Sequence, residues 1–223
     1  MTRLLQFKTV LLGASLLIIF AYVAGVFIAK ENLADLEDEL LSQINEQRTH
    51  LNTIAEITAR NGADEVTERI VKDCDVDERA KFDALLGELD SGLARSDLVI
   101  LERLFGRCGS FYAARKAVMV ARLEREVEVY ENYVQQLGTI NPSNIDEYQV
   151  GLYKELAAEE KFRSETFSSL VIHQNKIVTL LLEGKDVTSP EVKSILEQVK
   201  LTQQILTNTS AAVSEKRQAL ISS

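Results

Sequence analysis

Tryptophan is absent from this 223-residue chain, while proline, cysteine and histidine occur twice each and glycine ten times. Each scarcity removes an option. Proline breaks a helix by deleting a backbone donor and clashing with the preceding turn, so a chain holding only Pro142 and Pro190 leaves long stretches free to stay helical. The two histidines, His50 and His173, supply little for a metal centre. Neither belongs to H-E-x-x-H, and three residues before them stand Gln47 and Leu170 instead of the glutamate that a di-iron bundle uses. A phosphate-cradling glycine loop and a G-x-S-x-G nucleophile elbow are both lacking. Alternating β-branched runs between turn signals are lacking too, which removes strands from the expected fold.

Positive charge is also in short supply. The net charge is −9, and residues 30–223, which exclude Arg3 and Lys8, carry −11. A surface that acidic repels nucleic-acid phosphates and anionic lipid surfaces, so no nucleic-acid partner is expected.

What the chain does have begins near its N-terminus. Thr9 to Ala29 form an uncharged, mostly apolar run of 21 residues bounded by Lys8 and Lys30. At the helical rise, this run is long enough for a bilayer core of about 30 Å. A cleaved secretory signal is the alternative. However, Ala21, Ala24 and Ala29 are not spaced as an A-x-A site, and Phe27 is bulky at the third position before a cut after Ala29. A retained anchor is therefore expected. Arg3 and Lys8 precede the run, and Glu31, Asp35, Glu37, Asp38 and Glu39 follow it, which places residues 1–8 in the cytoplasm and residues 30–223 on the exoplasmic side.

The remainder reads as helices. Leu33, Leu36, Leu40, Ile44, Gln47, Leu51, Ile54 and Thr58 recur at steps of three and four, with Asn61-Gly62 as a stop and an acidic ADEVTERIVKD segment beyond it. Two short stretches follow, one with Phe82, Leu85, Leu86 and Leu89 on a face, the other with Leu98, Leu101, Leu104 and Phe105. Ser91 and Gly92 mark the turn between them, and Ser96 is the expected N-cap of the second. A longer helix from Ser110 carries the stripe Tyr112, Met119, Leu123, Val127, Tyr130, Val134 and Leu137 and ends at GTINPSN. The next is expected from about Ile145 to Glu183, and the last opens with Ser189 as cap and Pro190 at the first helical position. Ile195, Val199, Thr202, Leu206, Thr209, Val213, Lys216 and Leu220 then repeat every seven residues, a seam for the internal core in preference to a partner helix. The fold class is all-α: an N-terminal transmembrane helix continuing into an elongated antiparallel bundle.

Three sets of residues invite a chemical reading. Asp73, Asp75 and Asp77 imitate the start of a calcium loop, but Glu78 stands where glycine is needed and Ala84 where the bidentate glutamate should be. Asp75 is better read as a helix cap, with Glu78 three residues on completing a capping box. Glu155, Glu159, Glu160 and Glu165 lie among Lys154, Lys161 and Arg163, which reads as a salt-bridged, hydrated helix face.

Cys108, in GRCGSF, falls within one position of the nucleophile signature of papain-like proteases. Phe111 replaces the second cysteine, and His173 lies 65 residues on where such a base is expected about 130 to 150 away. The structural alternative is sharper. Cys74 and Cys108 are the only cysteines and residue 91 lies midway between them, at the hairpin turn, so folding the hairpin brings them together as a disulfide. Gly106 and Gly109 are then expected to mark the end of one helix and the start of the next. No catalytic, cofactor-binding or metal-ligating residue is assigned, and no cofactor is expected.

These readings describe a single-pass, non-catalytic scaffold or protein-interaction module of the cell envelope. Its contacts are the bilayer through residues 9–29 and protein partners, further copies of the chain among them. The alternative is a sensory, ligand-binding ectodomain that signals through a separate membrane partner.

Overall fold

A computed structural model describes residues 2–59, 74–144 and 147–222; for residues 2–24, 27, 59, 144 and 222 only the backbone is described. Every regular element among them is helical: α1 (Thr2–Ala59), α2 (Val76–Gly87), α3 (Arg95–Leu104), a π-helical turn (Phe105–Gly109), α4 (Ser110–Ile140), a 3-10 turn (Pro142–Asn144), α5 (Glu147–Leu182) and α6 (Pro190–Ser222). Among the described residues no helix is long and apolar enough to cross a membrane. The run Thr9–Ala29 falls, but for Gly25, Val26, Ile28 and Ala29, outside the residues whose side chains are described. The Asn61-Gly62 stop and the acidic segment after it lie outside the described residues altogether.

The chain divides into two units. The first comprises residues 1–46 and 132–145. Here Leu40, Val134 and Leu137 are buried, whereas Leu33 and Leu36 remain 48% and 44% exposed. The stripe predicted from Leu33 onward is thus buried only from Leu40. Asn141 caps this unit's turn: its backbone N–H donates to the Leu137 carbonyl, and its side-chain amide donates to Glu37 Oε1 at 2.9 Å. Pro142 then prevents α4 from continuing.

The second unit comprises residues 47–131 and 146–223. Its cross-helix contacts fix the directions of its helices. Gln47 meets Glu126 while His50 meets Arg122, so this part of α1 runs antiparallel to α4. Tyr130 reaches Gln149 and Glu124 reaches Lys161, so α4 and α5 are antiparallel as well. Between α5 and α6, Gly184 adopts φ of 89°, a left-handed conformation that a side chain would strain. Val192 N then takes the Ser189 hydroxyl as its N-terminal acceptor at 3.5 Å. Lys216, late in α6, returns to Glu155, early in α5. Val192, Ile195, Val199, Thr202, Thr209, Val213 and Leu220 are all buried, so the seven-residue seam of α6 serves this internal core.

The hairpin of α2 and α3 packs its own apolar cluster, Phe82, Leu85, Leu89, Leu98, Leu101, Leu104 and Phe105, against Leu170, Val171, Ile177 and Val178 of α5. Its start is set by Asp75, whose Oδ1 accepts the Glu78 N–H at 2.8 Å. Its turn contains Gly92 at φ of 92°. The N-cap of α3 is Ala94, without a side-chain cap bond, and not Ser96. The turn after Gly92 reaches helical geometry at Arg95, one residue before the serine, so Ser96 lies inside the first turn.

Candidate functional site: a cavity beside the disulfide

Cys74 and Cys108 form the disulfide, with Cα atoms 5.2 Å apart, inside the span a bridge requires. Cys74 sits just ahead of the cap of α2, and Cys108 sits in the π turn between α3 and α4. The break expected at Gly106 and Gly109 does not occur. Helical dihedrals pass from Leu104 through Phe105 to Ser110, so the backbone remains helical from Arg95 to Ile140 and accommodates one wide turn instead of ending. Glycine serves there by its size: a Cβ on Gly109 would lie 3.0 Å from Phe105 Cδ1 and 3.2 Å from Val171 Cγ1, whereas one on Gly106 would meet nothing within 4 Å. Gly109 lets α5 approach the wide turn.

The ends of the clamp are tied by polar contacts. Arg107 donates to Glu78 Oε1. The predicted capping box is therefore half right, because Asp75 caps and Glu78 binds across the clamp. The Tyr112 hydroxyl donates to Cys74 Sγ at 3.5 Å, and burial raises the pKa of that phenol.

Tyr112 also borders a cavity of about 300 Å³ that lies wholly within the second unit. Its apolar walls come from Phe82 and Leu86 of α2, Met119 of α4, and Phe167, Leu170 and Val171 of α5. Arg79, Arg115 and Lys116 line it as well, and so, among the described residues, does the carboxylate Asp83. Arg79 lies over the Tyr112 ring at 5.5 Å and Lys116 Nζ over the Phe167 ring at 5.9 Å. These cation–π contacts hold positive charge against the aromatic walls.

Lys116 links the cavity to a buried polar cluster. Glu160 is fully buried and faces Arg163 Nη1 at 3.5 Å, with Arg163 itself only 5% exposed. The expectation of a hydrated face is corrected here. Glu155 and Lys161 do make exposed ion pairs, with Lys216 and Glu124, but Glu160 and Arg163 fall in register with Tyr153, Leu156, Ser164 and Leu170, the buried stripe of α5. Burial raises the pKa of Glu160, with Arg163, Lys116 and Arg217 acting in opposition. Burial, reinforced by Arg163, lowers the pKa of Lys116 to about 8, against the pull of Glu160.

Of the remaining candidates, His50 lies 3.6 Å from Glu126 and near Arg122, and Asp73 lies outside the described residues. The Nδ1 atom of His173 is buried without a hydrogen bond. No family model, curated protein or solved structure matches this chain.

The pairing of Cys74 with Cys108 follows from the sequence, whereas the cavity does not. Its lining gathers residues from α1, α2, α4 and α5. The one available signal was the position of Glu160 and Arg163 on an otherwise apolar stripe.

Proposed function

We propose that this chain is a single-pass, membrane-anchored helical module of the cell envelope that works by binding and not by catalysis. The observation that carries this reading is the Cys74–Cys108 disulfide, whose persistence fits an oxidising compartment. The apolar run Thr9–Ala29, with Arg3 and Lys8 before it and five acids soon after, supports residues 30–223 on the exoplasmic side of a plasma or inner membrane. The bridge commits both sulfurs to structure, which argues against a thiolate nucleophile. Protein partners of the envelope remain the leading class of contact.

A second reading, ligand binding coupled to a separate membrane partner, is favoured by the cavity beside the clamp. Small-molecule sites are concave and mostly apolar, with a few convergent polar groups, and this cavity has that composition.

The test is maleimide-polyethylene-glycol labelling of the full chain in intact cells, followed by alkaline extraction of membranes. Labelling of both cysteines only after reduction, in material that resists extraction, is the expected result. Free thiols without reductant, or release into the soluble fraction, would overturn the proposal.

A further inference from the structure

The charged side chains at the cavity are met within the chain. Arg79 and Asp83 stand one turn apart on α2, Arg115 is engaged by a partner of its own, and Lys116 is faced by Glu160 of α5. A ligand bringing a further charge would have to divide one of those arrangements and leave a charge uncompensated among apolar walls. The cavity therefore suits a neutral molecule. One lining group stands apart from the rest. Gln174 is only 8% exposed and borders the cavity, yet its side-chain amide makes no hydrogen bond among the described residues. The two lining hydroxyls are engaged: Thr58 Oγ1 donates to the Ile54 carbonyl at 2.7 Å, and the Tyr112 hydroxyl donates to Cys74 Sγ. A buried amide without a partner costs free energy, which a hydrogen-bonding group on a bound molecule recovers.

The walls say what the rest of that molecule is. Phe82, Tyr112 and Phe167 bring aromatic rings from three different helices, and rings pack well against a further ring through offset and edge contacts. An apolar cavity of about 150 Å³ takes up benzene. A volume of about 300 Å³ suits a fused bicyclic system. We propose that the cavity binds a neutral bicyclic aromatic molecule bearing one hydrogen-bonding group, its rings lying among Phe82, Met119, Phe167 and Leu170 and its polar group meeting the Gln174 amide. The inference rests on the ligand-binding reading of the preceding subsection and adds the class of ligand.

The chain contains two methionines, Met1 and Met119, and Met119 lines the cavity, so its methyl group reports occupancy directly. The experiment is methyl NMR of the full chain in lipid nanodiscs, labelled with carbon-13 at the methionine methyls and titrated near neutral pH with 2-naphthol, naphthalene and 2-naphthoate. Met1 serves as the control for partition into lipid. 2-Naphthol is expected to shift the Met119 resonance saturably. Naphthalene and 2-naphthoate should each bind at least about tenfold more weakly, because the first leaves the amide without a partner and the second brings an unpaired charge. Gln174→Leu, which removes the amide at similar volume, should weaken 2-naphthol about tenfold and leave naphthalene unchanged.

Equal affinity for 2-naphthol and naphthalene would overturn the proposal, since the polar group would then go unread, and would leave the ligand-binding reading standing. A preference for 2-naphthol that survives in Gln174→Leu would do the same, because the polar contact would lie elsewhere. Tighter binding of 2-naphthoate would overturn the neutral class of ligand. A Met119 resonance unmoved by all three, on a chain whose circular dichroism shows a folded helical protein, would remove both the proposal and the reading beneath it.

Discussion

The α2–α3 hairpin and the α5–α6 pair solve the same problem, holding two helices together, by opposite means. The hairpin helices have 12 and 10 residues, and their interior is apolar and closed by a covalent bridge. A helix as short as α2 is marginal alone, because nucleation costs more than a few hydrogen bonds return, and α3 gains length only by running on through the wide turn into α4. The α5 and α6 helices have 36 and 33 residues, joined by a short turn at Gly184 and packed along a seam that includes Thr202 and Thr209. Length supplies enough apolar contact that this pair carries threonines in its seam, and α5 also buries Glu160 and Arg163, without a covalent staple. Of the two pairs, the shorter carries the covalent constraint and the longer tolerates a polar interior.

The largest expected effect tests the polar side of that contrast. Arg163→Met removes a buried guanidinium from beside Glu160 and leaves that buried carboxylate only Lys116 and Arg217 as cations, which costs up to about 3 to 5 kcal/mol. Joining it to Glu160→Leu should recover most of that loss, because an apolar pair of similar volume needs no desolvation. Urea denaturation of the single and double variants measures both. A double variant as unstable as the single would mean that the pair contributes more than charge balance to the long helices.

Next comes the clamp. Replacing Cys74 and Cys108 by alanine opens a loop with a sequence separation of 34, and the chain-entropy model puts the loss at about 3 to 4 kcal/mol. The hairpin amides should lose hydrogen-exchange protection before those of α5 and α6 do. Uniform loss across all four helices would erase the distinction between a stapled and an unstapled pair.

How much of this contrast was legible beforehand depends on how local each cause is. Residue 91 lies midway between the cysteines, and the Ser-Gly turn beside it gave the bridge from sequence alone. Ser189-Pro190 and Asn141-Pro142 likewise announced a helix start and a helix end, since caps and prolines act on their immediate neighbours. Charge composition points Glu160 to solvent, whereas its helical register places it in the buried stripe of α5. Glycines beside a cysteine suggest a break at Phe105–Gly109, whereas the structural need at Gly109 is room for Val171 of α5. The cavity was invisible, because no segment contains more than a small part of its wall.

The two glycines of the wide turn sharpen the comparison at a finer scale. Gly109→Ala must displace Phe105 or Val171, an overpacking cost of about 1 to 3 kcal/mol. Gly106→Ala meets open space on a helical backbone and should stabilise by up to about 1 kcal/mol. Thermal denaturation of the two variants should therefore move in opposite directions. If both stabilise, the close approach of α5 to the hairpin does not depend on Gly109.

A pH dependence arises at the junction of cavity and polar cluster. Burial, with Arg163 beside it, lowers the pKa of Lys116 to about 8, with Glu160 acting in the other direction. The unfolded lysine titrates near its ordinary value of about 10.4. Between those two values the unfolded chain holds more protons at this position than the folded one. The Lys116 contribution to stability therefore rises with pH across that window and is flat below it. Denaturant midpoints at pH 7.5, 9 and 10 in the parent and in Lys116→Met isolate the term, since the other lysines and tyrosines are common to both. The parent should gain relative to the variant as pH rises. A difference that stays constant would place the Lys116 ammonium in water, and the aromatic wall of Phe167 would then hold only the stem of that side chain.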